Sequence, residues 1–375
     1  MKKTLLSLAL LGSFAGTAAA ADVTLYGIAD LGLTYSYSDA DDGTGSTNSF
    51  SMTSGNQSGS RFGLRGSEDL GNGLKVGFVL ENGFSADTGT LGQGSRLFGR
   101  QATVSLSGDF GEVAFGRTGQ LNSGLGTYGL TGNMSPFGSS FAGSVEISTY
   151  MVGATRVDNS ITYKSPTFAG TTVYAQYSLN SNTREEYDEG KSATNRYGAL
   201  GATYANGPFK AVLVADWYNW STQAYADPDD GFSVTLGGSY DFEVVKAYLG
   251  VQYFDNMFQK SSGQSTSDTY ATIGIADNAF KGYGVMVGLD APVAGGTAMV
   301  AFGYADGEAA ETLTTTTAQN EFTRIGGSVG YVYPFSKRTN VYAVGAYYQD
   351  KFTTVAGTET KPAEGQVTVG IRHRF

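Results

Sequence analysis

The segment Ala21-Asp22-Val23-Thr24-Leu25-Tyr26-Gly27-Ile28-Ala29-Asp30-Leu31-Gly32-Leu33-Thr34-Tyr35-Ser36-Tyr37 alternates with period two. Val23, Leu25, Gly27, Ala29, Leu31, Leu33, Tyr35 and Tyr37 share one face. Thr24, Asp30, Thr34 and Ser36 share the other, together with Tyr26, Ile28 and Gly32. A period of two is that of a β-strand with unlike environments on its two sides. An apolar face against lipid and a more polar face against water satisfy it, and Asp30 then points into a lumen.

The same alternation recurs to the end of the chain. It runs through Leu74/Val76/Phe78/Leu80, Phe209/Ala211/Leu213/Ala215/Trp217, Val245/Ala247/Leu249/Val251/Tyr253, Ala298/Val300/Phe302/Tyr304 and Val367/Val369/Ile371/His373/Phe375. Fainter members fall at 58–68, 96–107, 111–117, 160–166 and 196–205, for a total of sixteen strands. Short turns such as Asp69-Leu70-Gly71-Asn72-Gly73 and Asn206-Gly207-Pro208 alternate with long polar connections. That asymmetry matches periplasmic turns and external loops, and an even strand number puts both termini at the periplasmic end.

Upstream, Lys2 and Lys3 precede the apolar run Leu5–Phe14, and Ala18-Ala19-Ala20 offers small residues for cleavage. This reads as a signal peptide over 1–20, followed by one barrel domain over 21–375. No segment provides the roughly 20 uncharged apolar residues of a membrane helix. The chain has no cysteine, so disulfides and thiol chemistry are excluded. With Lys2 and Lys3 removed, the 24 basic residues fall to 22 against 34 acidic ones. Such a balance argues against nucleic acid as a partner.

Between Arg117 and Ser160 lie about forty residues that contain Leu121, Leu125, Tyr128, Leu130, Met134, Phe137, Phe141, Val145, Ile147, Tyr150, Met151 and Val152. A connection this long and apolar is expected to be functional and to lie against the inner wall rather than in solvent.

These features converge on a resemblance to the trimeric general porins of Gram-negative outer membranes, over the whole mature length. It is carried by Thr24-Leu25-Tyr26-Gly27, Ser60-Arg61-Phe62-Gly63-Leu64-Arg65-Gly66-Ser67-Glu68-Asp69-Leu70-Gly71, Phe98-Gly99-Arg100-Gln101-Ala102, Gly116-Arg117, Arg156-Val157-Asp158-Asn159-Ser160 and the terminal Gly370-Ile371-Arg372-His373-Arg374-Phe375. The resemblance implies an all-β, sixteen-stranded antiparallel transmembrane barrel whose long third loop, here 119–158, folds into the lumen. It implies a homotrimer that passes small hydrophilic solutes and ions by diffusion, with wall arginines facing loop acids across a constriction. Arg61, Arg100, Arg117 and Arg156 resemble the wall arginines, and Pro136, Phe137 and Gly138 the loop tip. The family often carries Pro-Glu-Phe-Gly at this tip, whereas the chain has Ser135-Pro136-Phe137-Gly138, so that glutamate is missing and Glu146 and Asp158 are the nearby acids. A depleted acidic side suggests a weak anion preference. Phe375 resembles the C-terminal aromatic read by the outer-membrane assembly machinery.

Arg61 is out of phase with Phe62 and Leu64, as a lumen residue should be, but Arg100 shares the parity of Ala102, Val104 and Leu106. A charge facing lipid at the midplane costs about 2–4 kcal/mol. Arg100 therefore either reaches the eyelet through a bulge or sits above the lipid band. Catalysis has little to work with: His373, the single histidine, lies on the lipid parity three residues from the end. An outer-membrane enzyme would need another base, whereas an adhesin or phage receptor could use the loops of a pore. The acidic clusters at Asp39/Asp41/Asp42, Glu185/Glu186/Asp188/Glu189, Asp227/Asp229/Asp230 and Glu308/Glu311 are expected in external loops. There they could loosely hold Ca²⁺ or Mg²⁺ bridging lipopolysaccharide phosphates, with no other cofactor expected.

Overall fold

A computed structural model describes residues 23–139, 141, 144, 147–153, 155–181, 194–220, 229–258 and 278–375. The expected signal peptide, Glu146, the cluster at 185–189 and Asp227 lie outside the described residues. Among those described, sixteen strands cross the barrel: Thr24–Asp39, a second in two pieces (Thr47–Ser54 and Arg61–Gly71), Leu74–Gly83, Gln101–Gly108, Gly111–Gly119, Arg156–Lys164, Thr171–Ser178, Arg196–Asn206, Phe209–Asn219, Gly231–Asp241, Lys246–Met257, Phe280–Val293, Gly296–Ala309, Gln319–Pro334, Thr339–Thr354 and Ala363–Arg374. Each pairs antiparallel with its neighbours, and the last closes on the first, from Ile28 opposite Arg374 to Asp39 opposite Ala363. Closure removes every unpaired strand edge, which lipid cannot hydrate. Among the described residues no helix is long and apolar enough to cross a membrane.

The alternation explains which side chain faces where. Leu213, Leu249, Phe302, Val329 and Val367 stand outward and exposed, while Val214, Thr235, Gln252, Ala301, Ala305 and Thr368 are buried on the inward side. Short turns keep strands in register by taking left-handed backbone at two successive positions, as Asn72-Gly73 does with φ of 51° and 78°.

Two departures from the expected strand limits bear on the site. Residues 96–100 precede the strand that begins at Gln101 instead of belonging to it, and the strand expected from Ser160 begins at Arg156. The second strand is interrupted between Ser54 and Arg61, although both pieces pair with the first, Leu31 opposite Ser54 and Ile28 opposite Arg61. In the gap, the amides of Gln57 and Ser58 donate to Asp30 Oδ2 at 2.8 and 2.7 Å.

Candidate functional site

The connection after Gly119 turns inward because both of its legs find side-chain partners on the wall. The Leu121 amide donates to Gln176 Oε1 at 3.1 Å, and the Val152 amide donates to Gln252 Oε1 at 2.7 Å. Asn122 joins the two legs, its Nδ2 donating to Val152 O at 3.2 Å while its Oδ1 accepts from Thr235 Oγ1 at 2.8 Å. Each buried amide would cost about 1–3 kcal/mol if it lost its partner, so these bonds hold the entry angle.

Between the legs, apolar side chains press onto inward-facing glycines. Met134 covers Gly237 and Gly250, Pro136 covers Gly288, and Phe137 covers Gly330. Tyr150 lies over Gly284, Gly303 and Gly326. A side chain at any of these wall positions would occupy the space the loop fills. Leu121, Met134, Phe137, Phe141, Tyr150 and Met151 are buried in one cluster with the wall residues Val212, Phe254, Met286 and Tyr342. At about 1.5–3 kcal/mol for each fully buried large side chain, this packing holds the loop on the wall.

The far end is tied by Arg324, which pairs with both Asp350 carboxylate oxygens at 2.6 Å and donates to Thr149 O at 3.2 Å. Phe141 meets Tyr342 edge-on at 5.5 Å, and Tyr342 donates to Asp30 Oδ1 at 2.5 Å. The described part of the loop thus lies against the wall from the strand Thr171–Ser178 to Thr339–Thr354.

The remaining strip of wall carries the arginines. Arg100 Nε donates to Glu81 Oε1 at 2.7 Å, Arg61 Nη1 lies 3.7 Å from the same oxygen, and Tyr26 donates to Glu81 Oε2. Arg117 Nη1 reaches Asp158 Oδ1 at 2.5 Å, and Arg96 Nη1 lies 2.8 and 2.7 Å from its two oxygens. Arg156 is buried, its Nε donating to Arg100 O at 2.9 Å and its Nη2 without a hydrogen-bond partner. Among the described residues, five guanidiniums thus gather around the two carboxylates of Glu81 and Asp158. Farther along the strip Arg372 donates to Ser58 Oγ.

Arg61, Arg100, Arg117 and Arg156 come together, and Asp30 is buried in the lumen wall beneath Tyr342. Arg100 turns inward despite its parity because it precedes the regular strand, where the alternation does not bind it. Asp158 does not belong to the loop: the strand starting at Arg156 puts it in the wall, on the arginines' own side. The expected loop limits of 119 and 158 narrow to 120 and 155 for the same reason. Pro136 and Phe137 are packed against the wall, and Gly138, with φ of 71°, turns the chain there. Phe375 exchanges both backbone hydrogen bonds with Gly27 at 3.1 Å and lays its ring where a Cβ of Gly27 would stand. His373 is exposed, its Nδ1 2.9 Å from Thr339 Oγ1. Among the described residues, no three His, Asp or Glu side chains converge to hold a metal ion.

Three participants escaped the sequence reading. Glu81 sits at a lumen parity of Leu74–Gly83 and could have been found by extending that strand to its end. Arg96 lies in a connection with no periodicity. The wall glycines were visible only as an excess of glycine, not as a surface.

A model of the family described as Gram-negative porin matches residues 7–353. An outer membrane porin protein of Bordetella pertussis is 37% identical over 408 residues, covering 100% of both chains. Outer membrane porin protein 32 of Delftia acidovorans is 32% identical, again over 100% of each. Among solved structures, an anion-selective porin from Comamonas acidovorans superposes with a TM-score of 0.71 at 28% identity, covering 95% of this chain and 100% of that one. The closed barrel, the end-to-end relatives and the family match agree, and the chain belongs to the Gram-negative porins as an outer-membrane channel for passive diffusion.

Proposed function

We propose that this porin favours small anions, and that it does so by the asymmetry of its lumen. The observation that carries the reading is the placement of Arg61, Arg100, Arg117 and Arg156 on the strip of wall that the apolar loop leaves uncovered, joined there by Arg96, around only Glu81 and Asp158 among the described residues. Charge in a narrow, partly desolvated passage acts with less screening than charge at the acidic external mouths. The anion selectivity named for the Comamonas acidovorans porin agrees with this reading. Transport is passive, with no catalytic step.

The working unit in this reading is a trimer. An outward-facing apolar trough of about 500 Å³, lined by Val76, Phe78, Leu80, Ala102, Val104 and Phe115, offers a face for neighbouring protomers. Phe375 serves the assembly machinery, export uses the leader 1–20, and the acidic external loops attract Ca²⁺ or Mg²⁺ diffusely near lipopolysaccharide. Single-channel recording of the purified protein tests the trimeric pore: current should close in three equal steps, and single or paired closures as the full set would overturn the trimer.

A further inference from the structure

The connection between Gly83 and Gln101 is built as an arm. Its start is bonded to the interrupted second strand, Phe84 N–H to Ser60 O at 3.1 Å and Ala86 N–H to Ser54 Oγ at 2.8 Å. It then runs through three successive left-handed residues, Gln93, Gly94 and Ser95, with φ of 49°, 67° and 64°. Two of these carry a Cβ, and each costs about 1–2 kcal/mol in that conformation. The contacts that follow offset the cost. The Gln93 side chain fills the space beside Gly83 and Gly99, Leu97 O accepts from Asn82 Nδ2 at 2.5 Å, and Gly99 O accepts from Arg117 Nε at 2.8 Å. The result is that Arg96, 62 residues away in sequence, delivers its guanidinium to Asp158.

Exposure decides what this pair presents to the lumen. The Asp158 side chain is 7% exposed, whereas those of Arg96 and Arg117 are 22% and 19% exposed. The acid is the more deeply buried of the three, so what the group offers to water is guanidinium edges. We infer that Arg96 is a selectivity-determining residue of the channel, delivered by a second inward connection, and that Asp158 is the anchor holding it at the edge of the basic strip. The inference deepens the anion-preferring reading but rests on Arg96 alone.

Reversal potentials of Arg96→Gln, Arg96→Lys and Asp158→Asn in a KCl gradient test it, with the oligomer on unheated gels confirming assembly. Arg96→Gln should lower the chloride-to-potassium permeability ratio by about two- to fourfold, the effect of one unit charge across about 10 Å of water on each ion. Arg96→Lys should recover most of that ratio. Asp158→Asn removes the anchoring charge, so Arg96→Gln made on top of it should shift the ratio less than it does alone, and an equal shift would overturn the anchor role. An unchanged ratio in an assembled Arg96→Gln channel overturns the inference. If the native channel itself prefers cations but Arg96→Gln still shifts it further that way, Arg96 keeps its role and the anion-preferring reading falls instead.

Discussion

The carbonyl oxygen of Tyr150 lies 1.7 Å from where a Cβ of Gly284 would stand. Backbone is here packed on backbone, and neither side can yield by changing rotamer. Since Gly303 and Gly326 receive the ring and hydroxyl of the same tyrosine, the inner wall has been hollowed along three adjacent strands for one residue of the loop.

Gly284→Val should therefore displace the loop near Tyr150 without opening the barrel. The overpacking cost is about 1–3 kcal/mol. The expected readout is a changed unitary conductance with added open-channel noise. A recording indistinguishable from the native channel would mean that the loop does not rest on this wall.

The Arg324 and Asp350 pair closes the far end of the loop. The two side chains are 3% and 14% exposed, so removing one leaves a charge with little water around it. Asp350→Ala should cost about 3–5 kcal/mol by the standard of buried pairs, seen as a lower melting temperature of the assembled protein. It should also free Thr149 and raise channel noise. A melting temperature within a degree or so of the native value would contradict the role given to the pair.

Asp30 binds two amides of the strand interruption and the hydroxyl of Tyr342. Tyr342→Phe removes one hydrogen bond and keeps the ring against Phe141, so it should cost about 1–2 kcal/mol. Asp30→Ala leaves the Gln57 and Ser58 amides without their acceptor and should cost more. Denaturant titration of refolded protein orders the two variants, and the reverse order would show that the Tyr342 hydroxyl, not the hold of the Asp30 carboxylate on the two amides, carries the larger share.

Phe375 joins closure of the barrel to its proposed recognition. Phe375→Ala keeps the backbone bonds to Gly27 but removes the ring that lies over it. Less assembled protein in the outer membrane is expected, with refolding in detergent only mildly slowed. Equal loss in both assays would assign Phe375 to stability alone.

The barrel was legible in the sequence because a two-sided strand writes its environment into every second residue, as Val23 to Tyr37 show. The inward loop was legible too, since Leu121 to Val152 are too apolar for an external loop. What stayed hidden lies where period two stops applying. Arg100 precedes its strand and ignores its parity. Asp158 reads as loop if the strand is started at Ser160, yet left-handed Asn159 lies within a strand that begins at Arg156. Arg96 reaches its partner only through tertiary contacts, which no local pattern encodes.

Reversal potential in a KCl gradient across a planar bilayer holding the native protein tests the central claim most directly. A basic strip facing an apolar loop requires the potential to settle toward the chloride equilibrium value, and increasingly so as salt is lowered and screening weakens. A potential on the potassium side at low salt would contradict it.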